Sequence, residues 1–416
     1  MSEKVLIIGS VWPEPDSSAA GSRMMQLIEL FQSQNWQITF ASIANPSEFM
    51  FDIESIGVQK ECIQLNSRTF DDFIQTLKPN MVVFDRFMTE EQFGWRVAEH
   101  CPEAIRILDT EDFHSLRYAR QNAHKQNRNF EFDDLLKEEI SKREIASILR
   151  SDLTLIISTY EMDLLKTVFK IDSDLIYYLP FMLDNMSQED IIKMPSFEER
   201  KQFVSIGNFL HEPNWNAVQY LKKDIWPLIK KQLPEAELHI YGAYSSQKVF
   251  ELHNEKEGFI IKGRAKDANQ VISNARLLLA PIRFGAGLKG KLLHAMKCGT
   301  PSITTTLGAE AMHGNLGWSG YISNDILEFS NSAANLYSVK EKWLLAQQRG
   351  IDIINLCYNK KVIGQALLRR IDEIQKNLVQ HRLHNFMGLM LHHHTMSSTK
   401  YMSKWIEAKK ENIGKM

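Results

Sequence analysis

The sequence predicts an α/β protein whose two domains face each other across a cleft. Short runs of apolar and β-branched residues alternate with longer amphipathic segments, which is typical of β-α-β units and parallel sheets. The 416 residues also exceed the length that one hydrophobic core usually organises. A polar, proline-containing stretch interrupts the alternation at residues 184–200. We therefore expect a first domain over residues 1–185, a linker over 186–200, a second domain over 201–380 and an extension over 381–416.

The predicted strands come in two groups, one in each domain. Those of the first domain are 4–9, 37–41, 81–85, 105–109 and 153–158, and those of the second are 202–207, 237–242, 259–262, 277–281 and 302–305. Several end in Asp, Ser or Gly, and ligands of open parallel sheets bind beyond the carboxyl ends of the strands. A small-molecule site in the cleft between the two sheets is therefore expected.

The overall charge excludes a chain-wide field for polyanions. The 49 Lys and Arg residues nearly balance the 51 Asp and Glu residues, so the net charge is only −2 and no nucleic-acid partner is expected. Widely spaced Cys62, Cys101, Cys298 and Cys357 predict buried, reduced thiols in a reducing compartment. We expect a cytoplasmic protein, with peripheral contact at the inner membrane face left open.

The extension over residues 381–416 is rich in His, Met, Lys and Ser and has a weaker apolar pattern. We expect it to be a solvated tail after a helical region over residues 325–379. The run His392–His394 is not expected to bind a metal, because no carboxylate or cysteine accompanies it at ligand spacing.

The most informative segment, residues 277–305, has the pattern strand, glycine loop, helix, turn, strand. Gly285 and Gly287 allow a tight turn and the close approach of a ligand, and the start of the next helix is suited to an anion. The cations Arg283, Lys289 and Lys291 flank this position, so a diphosphate fits the loop. The alternative is a simple turn with solvated cations. A P-loop is excluded because Gly-Lys-Ser/Thr is absent. A dinucleotide-binding turn is not expected, because the loop comes near the end of the chain and not in the first β-α turn of such a fold.

Several ordered motifs between residues 203 and 312 carry a resemblance to a known family. They are Val-Ser-Ile-Gly207-Asn-Phe, Pro213-Asn-Trp-Asn-Ala217, Ala280-Pro-Ile-Arg-Phe-Gly-Ala-Gly287 and Gly299-Thr-Pro-Ser-Ile303. This stretch resembles the donor-binding half of glycosyl transferases group 1, which are retaining, family 4-like enzymes of the GT-B fold with two Rossmann-like domains. The first half of the chain resembles the family more loosely, through its first strand and the loop at Gly21.

The resemblance implies a retaining glycosyltransferase of the hexosyltransferase type. Such an enzyme moves a sugar from a nucleoside-diphosphate sugar to a hydroxyl of a glycan, a lipid-linked acceptor or a polysaccharide. It implies no metal and no cofactor beyond the nucleotide sugar as co-substrate. A GT-B nucleotide-sugar epimerase, or a catalytically impaired protein that binds nucleotide sugars as a scaffold, remains an alternative.

The resemblance also implies roles for residues of the second, donor-side domain. Arg283 and Lys289 are expected to act on the leaving diphosphate. The donor-binding residues expected with them are Gly207, Asn208, Gly285, Ala286, Gly287, Lys291, His294, Gly308 and Glu310. Ala286 and His294 stand where the family commonly has two glutamates. His294 is accordingly expected to contact the ribose, with a structural histidine or lost catalysis as alternatives, and Glu310 to bond a sugar hydroxyl or complement a helix dipole.

In the first, acceptor-side domain, the resemblance places His114 near the transferred sugar, with a helix-capping or surface position as its alternative. Gly21, Ser22 and Asp109 are expected on the acceptor or sugar side, and a turn-only role is equally open for the first two. The following helix carries five basic residues: Arg117, Arg120, His124, Lys125 and Arg128. It is expected to be an ordinary solvated helix, or else a surface for an anionic acceptor or membrane.

Overall fold

Two parallel sheets with helices on both faces form the structure, which is a computed structural model that describes residues 3–413 apart from the side chains of residues 394–396 and 411–413. The predicted α/β class is confirmed. The strands of the first sheet are β1 (Lys4–Gly9), β2 (Gln37–Ser42), β3 (Gln59–Cys62), β4 (Met81–Asp85), β5 (Ile105–Asp109), β6 (Leu153–Ile156) and β7 (Ile176–Tyr178). Those of the second are β8 (Phe203–Ile206), β9 (Leu238–Tyr241), β10 (Phe259–Gly263), β11 (Leu277–Ala280), β12 (Ser302–Thr304) and β13 (Gly320–Ile322).

The helices of the first half lie between these strands and lead into the linker. They are α1 (Ala19–Gln32), α2 (Arg68–Leu77), α3 (Phe87–His100), α4 (His114–Lys125), α5 (Phe132–Lys137), α6 (Glu139–Arg150), α7 (Thr159–Thr167) and α8 (Gln188–Ile192). Short 3-10 turns cover Ile53–Ile56 and Ser173–Leu175.

The helices of the second half continue to the end of the chain. They are α9 (Glu212–Tyr220), α10 (Trp226–Gln232), α11 (Gln247–Phe250), α12 (Ala268–Asn274), α13 (Gly290–Lys297), α14 (Thr306–Ala309), α15 (Ile326–Ser338), α16 (Lys340–Cys357), α17 (Lys360–Lys376), α18 (Leu378–His384) and α19 (Phe386–Ile413). A π-helical turn, Leu221–Ile225, joins α9 to α10.

The order of the strands places a crevice in each sheet. The first sheet has the order β3-β2-β1-β4-β5-β6-β7 and the second the order β10-β9-β8-β11-β12-β13, and these strands pair with one another in parallel. In each sheet, the chain first adds strands on one side of the first strand, as far as β3 or β10. It then crosses to the other side of that first strand and continues there. The two switch points lie between β1 and β4 and between β8 and β11, where α/β sheets bind ligands.

The first sheet takes its outer helices from both ends of the chain. One face packs on α1 and on the apolar side chains Leu367, Ile371 and Ile374 of α17. Gly364 of α17 comes so close to α1 that a Cβ there would lie 2.7 Å from the Leu30 side chain. The expected domain boundary at residue 380 is therefore corrected, because the chain returns to the first domain at α17.

The two chain crossings between the domains lie side by side. The Leu183 N–H donates to the Tyr358 carbonyl at 2.7 Å, and the Lys360 N–H donates to the Leu183 carbonyl at 2.9 Å. The expected linker thus begins beside the returning segment. These hydrogen bonds join the two segments by which the chain passes between the domains.

The extension is not the solvated tail that its composition predicts, because α18 and α19 pack on the first domain. Arg382 donates to both carboxylate oxygens of the buried Asp152, at 2.8 and 2.7 Å, and to the Ala104 carbonyl at 2.8 Å. His392 lies 2.8 Å from an Arg106 nitrogen. The His394 side chain and residues 414–416 lie outside the described residues.

Two expectations about the surface have different outcomes. Cys101 and Cys298 are buried and all four cysteines are free thiols, but Cys62 is exposed because it ends the edge strand β3, which corrects its predicted burial. No described helix combines the length and apolar character needed to cross a membrane.

Candidate active site

The glycine loop between β11 and α13 lies directly against the first domain. Gly285 and Gly287 have φ values of 144° and 62°, a region that side-chain-bearing residues avoid. A Cβ at Gly287 would also lie 2.9 Å from the Asp112 Cβ in the loop after β5. Glycine is therefore required at Gly287 both by the backbone and by the facing domain.

A buried carboxylate holds this loop in place. Oε1 of Glu161, on α7, accepts the Gly287 N–H at 2.7 Å and the Phe113 N–H at 3.1 Å. Burial, together with the nearby Asp112 charge, raises the pKa of Glu161 to about 7. One side chain of the first domain thus joins the loops that follow β5 and β11.

Arg120 makes a second link between the domains. Its guanidinium donates to the Gly285 carbonyl at 2.9 Å and, in a bidentate pair, to the Glu310 carboxylate at 2.8 and 2.7 Å. Arg120 is buried, so the prediction of a solvated helix is wrong at this position. Glu310, expected to bond a sugar hydroxyl, instead has both oxygens occupied by the guanidinium.

The cations predicted to contact diphosphate have different surroundings. The buried Lys289 ammonium donates to the Gly287 carbonyl at 2.8 Å, and burial lowers its pKa to about 8. It braces the loop from within. Arg283 is exposed, donates to Asn216 at 2.8 Å and stacks over the Tyr220 ring at 4.2 Å, so α9 engages it rather than the loop.

Lys291 has the surroundings of an anion-binding residue. It lies in the first turn of α13, and its ammonium donates to Oδ1 of Asn214 at 2.8 Å. Burial lowers its pKa to about 7, with no carboxylate offsetting that effect. A Cβ at Gly207 would lie 2.7 Å from this ammonium, and Asn214 also donates to the Asn208 carbonyl at 2.9 Å. The structure thus brings the predicted residues Gly207, Asn208 and Lys291 together.

The remaining donor-side residues have mainly packing contacts. His294 Nε2 lies 2.8 Å from Oδ1 of Asn269, a contact within the second domain. Gly308 packs so tightly that a Cβ would lie 1.9 Å from the Thr304 hydroxyl. Its N–H donates to the Thr305 hydroxyl at 3.0 Å, which caps α14. Ala286 packs against the apolar core of the first domain.

The three residues expected on the acceptor side have structural contacts within the first domain. Asp109 is completely buried and ion-paired with Arg23. A Cβ at Gly21 would lie 2.5 Å from the Glu14 backbone, and the Ser22 hydroxyl donates to the Pro15 carbonyl at 2.8 Å. The turn-only alternative therefore describes the surroundings of Gly21 and Ser22.

His114 begins α4 and lies in the loop that faces Gly287. Its Nε2 is 3.3 Å from Oδ1 of Asp112, and its backbone N–H donates to Glu144 at 2.8 Å. Burial lowers the His114 pKa to about 4, so the ring is neutral near pH 7. His211, from the second domain, lies near the same carboxylate. Desolvation of the ring lowers the His211 pKa to about 4 as well, although the residue as a whole is partly exposed to solvent.

Sequence reasoning missed the residues that connect the two domains. The sequence pattern does not single out Glu161, although it lies three residues after the end of a predicted strand, and it does not single out His211 either. Asn214 lies inside the Pro213–Ala217 motif but received no role. The structure adds these three to the site. Among the described residues, no three His, Cys, Asp or Glu side chains are grouped so that they could hold a metal ion.

We predict that Glu161→Leu exposes the glycine loop to solvent exchange. The change removes the acceptor of the Gly287 N–H, a charge-assisted hydrogen bond that stabilises by about 1.5–3 kcal/mol, so amide exchange should accelerate at least about tenfold. Hydrogen–deuterium exchange with mass spectrometry measures this rate on a peptide that spans residues 284–293. Glu161→Gln, which keeps an acceptor oxygen, and the exposed Glu139→Leu are the controls, and unchanged protection in Glu161→Leu would contradict the assigned anchor.

Comparison with known proteins supports both the fold and the donor-side motifs. The family described as Glycosyl transferases group 1 matches residues 200–338. A glycosyltransferase from Rickettsia africae is 11% identical, with a TM-score of 0.66, over 90% of this chain and 99% of that one. Sucrose-phosphate synthase from Thermosynechococcus elongatus is 13% identical, with a TM-score of 0.66, over 89% and 99%. A search of curated proteins gave no match.

A third solved structure was determined with a nucleotide sugar. Alr3699/HepE from Anabaena, in complex with UDP-glucose, is 12% identical, with a TM-score of 0.64, over 89% of this chain and 99% of that one. At these identities the likeness establishes the fold. The expected resemblance is therefore confirmed: residues 200–338 match glycosyl transferases group 1, and the two facing sheets have the GT-B architecture.

Proposed function

We propose that this protein is a retaining glycosyltransferase that moves a hexose-type sugar from a nucleoside-diphosphate sugar to a hydroxyl of a glycan, lipid-linked or polysaccharide acceptor. The observation that carries the proposal is Lys291. Its ammonium is desolvated at the start of α13 and has an amide, not a carboxylate, as its partner. A desolvated cation without a counter-charge is unfavourable, so an anionic ligand would stabilise this half-buried position.

The surroundings of Lys291 suit a diphosphate in particular. Gly207 leaves space beside the ammonium, Asn214 holds it, and the unpaired N–H groups of the helix start add positive potential. Cleavage of the anomeric C–O bond places further negative charge on the diphosphate. Preorganised positive charge at that point lowers the barrier, which is why the proposal needs no metal ion.

The first domain would position the reacting groups above the donor. The neutral His114 ring lies where the loop after β5 faces Gly287, and it can bond a hydroxyl group of a sugar there. The ionised Asp112 beside it is ion-paired with Arg117 and would hold the ring in place. In the mechanism that the family resemblance implies, an oxygen of the departing diphosphate takes the acceptor proton on the same face of the sugar. Alignment of donor and acceptor would supply a large share of the rate enhancement.

The proposal is tested by a thermal-shift panel of UDP-, GDP- and ADP-sugars, followed by transfer assays. A ligand present at 100 times its Kd should stabilise the native state by about 2.7 kcal/mol. We expect one donor to stabilise the protein, and NMR of the product to show the anomeric configuration retained. An inverted anomer, an isomerised sugar without acceptor, binding without turnover, or no response to any donor would contradict the proposal.

We predict that Lys291→Met weakens donor binding by about 10- to 100-fold, because one charge-assisted contact to phosphate contributes roughly 1.5–3 kcal/mol. Isothermal titration with the donor found in the panel measures the change. Lys297→Met is the matched control, since Lys297 is an exposed lysine of the same helix. Equal affinities in the two variants would remove Lys291 from the site.

We also predict that donor affinity falls as the pH rises above 7. The Lys291 pKa is about 7 in the free protein, and a bound diphosphate raises it. Below pH 7 both states hold the proton and affinity is flat. Above it, binding must take up a proton, so affinity falls about tenfold per pH unit until the bound-state pKa is passed.

Titrations at pH 6, 7, 8 and 9 measure this dependence. A nucleotide sugar is the ligand of choice, since its diphosphate diester has a constant charge over this range. Lys289 and Glu161 also titrate near neutrality, with pKa values of about 8 and 7, but Lys291→Met retains both. A pH slope that persists unchanged in Lys291→Met would assign the linked proton to another group.

A further inference from the structure

The last helix, α19, is amphipathic in the reverse of the usual sense. A helix on the surface of a globular protein normally buries its apolar stripe. In α19, Ser403 and Glu407 are 4% and 8% exposed, whereas Met402 and Trp405 are 58% and 59% exposed. The polar face is turned inward and the apolar face is turned to solvent.

Buried polar contacts fix this orientation. Arg96 of α3, itself 1% exposed, donates to the Ser403 hydroxyl at 3.0 Å and forms ion pairs with Glu407 and with Asp71. On the same side of α19, His392 Nε2 lies 3.0 Å from the Arg150 carbonyl. Turning α19 to bury its apolar stripe would leave the Arg96 guanidinium without two of its partners, which is costly in a buried site.

Five exposed apolar side chains of α19 lie along one side of the helix, in two groups separated by residues 391–400. At 100° per residue, these side chains lie within about 60° of a single direction along the helix. They are Met387, Met390, Tyr401, Met402 and Trp405, each between 44% and 67% exposed. We call these five residues the apolar stripe of α19, which is about 27 Å long at 1.5 Å per residue.

The exposed charged side chains that the structure describes on α19 itself are of one sign. Lys404, Lys409 and Lys410 are exposed, and Lys404 also lies 3.8 Å from Glu99 of α3. The acidic residue between them in α19, Glu407, is turned inward to Arg96. Among the side chains of α19 that the structure describes, every exposed Asp, Glu, Lys or Arg is therefore a lysine. A second copy of the helix would bring lysines toward lysines, whereas an anionic surface would complement them.

We propose that the apolar stripe of α19 binds the surface of a bilayer that contains anionic lipids, with the helix lying in the plane of the interface. Met side chains would enter the acyl boundary, Tyr401 and Trp405 would lie at headgroup level, and the lysines would contact lipid phosphates. Because α19 packs on α3 and α6, the first domain would be held against the membrane. This inference goes beyond the proposed function and does not depend on it.

Vesicle co-sedimentation of the full chain tests the proposal. We expect binding to vesicles of phosphatidylcholine with 30% phosphatidylglycerol, and weak binding to phosphatidylcholine alone. The double variant Met402→Ser/Trp405→Ser should reduce the binding constant at least about tenfold without lowering the melting temperature, because both side chains are exposed. Lys409→Gln/Lys410→Gln should reduce binding to the anionic vesicles alone.

The matched control is Ile192→Ser/Leu356→Ser, since these side chains are 81% and 71% exposed and lie outside α19. It should bind vesicles as the unmodified chain does. Sedimentation velocity without lipid completes the test. Equal binding to neutral vesicles, no binding at low salt, or a dimer that Met402→Ser/Trp405→Ser dissociates would overturn the proposal, the last in favour of self-association.

Discussion

The arrangement of the cleft depends on one buried carboxylate. Glu161 accepts backbone N–H groups from Gly287 in the second domain and from Phe113 in the first. A buried carboxylate needs such donors, so the glycine loop must approach within hydrogen-bonding distance of α7. That approach is possible only because residue 287 has no Cβ to meet Asp112. One polar requirement thus sets the separation of the two facing loops.

This anchor divides the cations of the site into two kinds. Arg120 and Lys289 satisfy carbonyls of the loop, and Arg120 also neutralises Glu310. Their charges are used to hold the domains together. Lys291 is left with an amide partner and with space beside Gly207. In the sequence, Arg283, Lys289 and Lys291 look equivalent, because all three lie near the glycine loop. Their burial and their partners in the structure leave Lys291 as the one of the three that is suited to a ligand.

The sequence predicted the centre of each sheet and missed most of the edges. Central strands such as β1 and β4 are buried on both faces, so continuous apolar runs identify them. The edge strands β3, β7 and β13 escaped prediction. Strand β3 reads Gln-Lys-Glu-Cys, and the other two have three residues each. Short or polar strands at an edge take their conformation from the neighbouring strand, which no local pattern reveals.

The same limit explains what was missed at the site and in the extension. Glu161 and Gly287 are 126 residues apart, and Arg96 and Glu407 are 311 apart. In both cases a charged group becomes buried because its partner arrives from a distant part of the chain. An apolar pattern indicates which residues of a helix share a face, but not which face turns inward. In α19 the buried Arg96 determines that direction. Leaving this buried charge unpaired would cost more than leaving the apolar face in solvent, so the polar face packs inward.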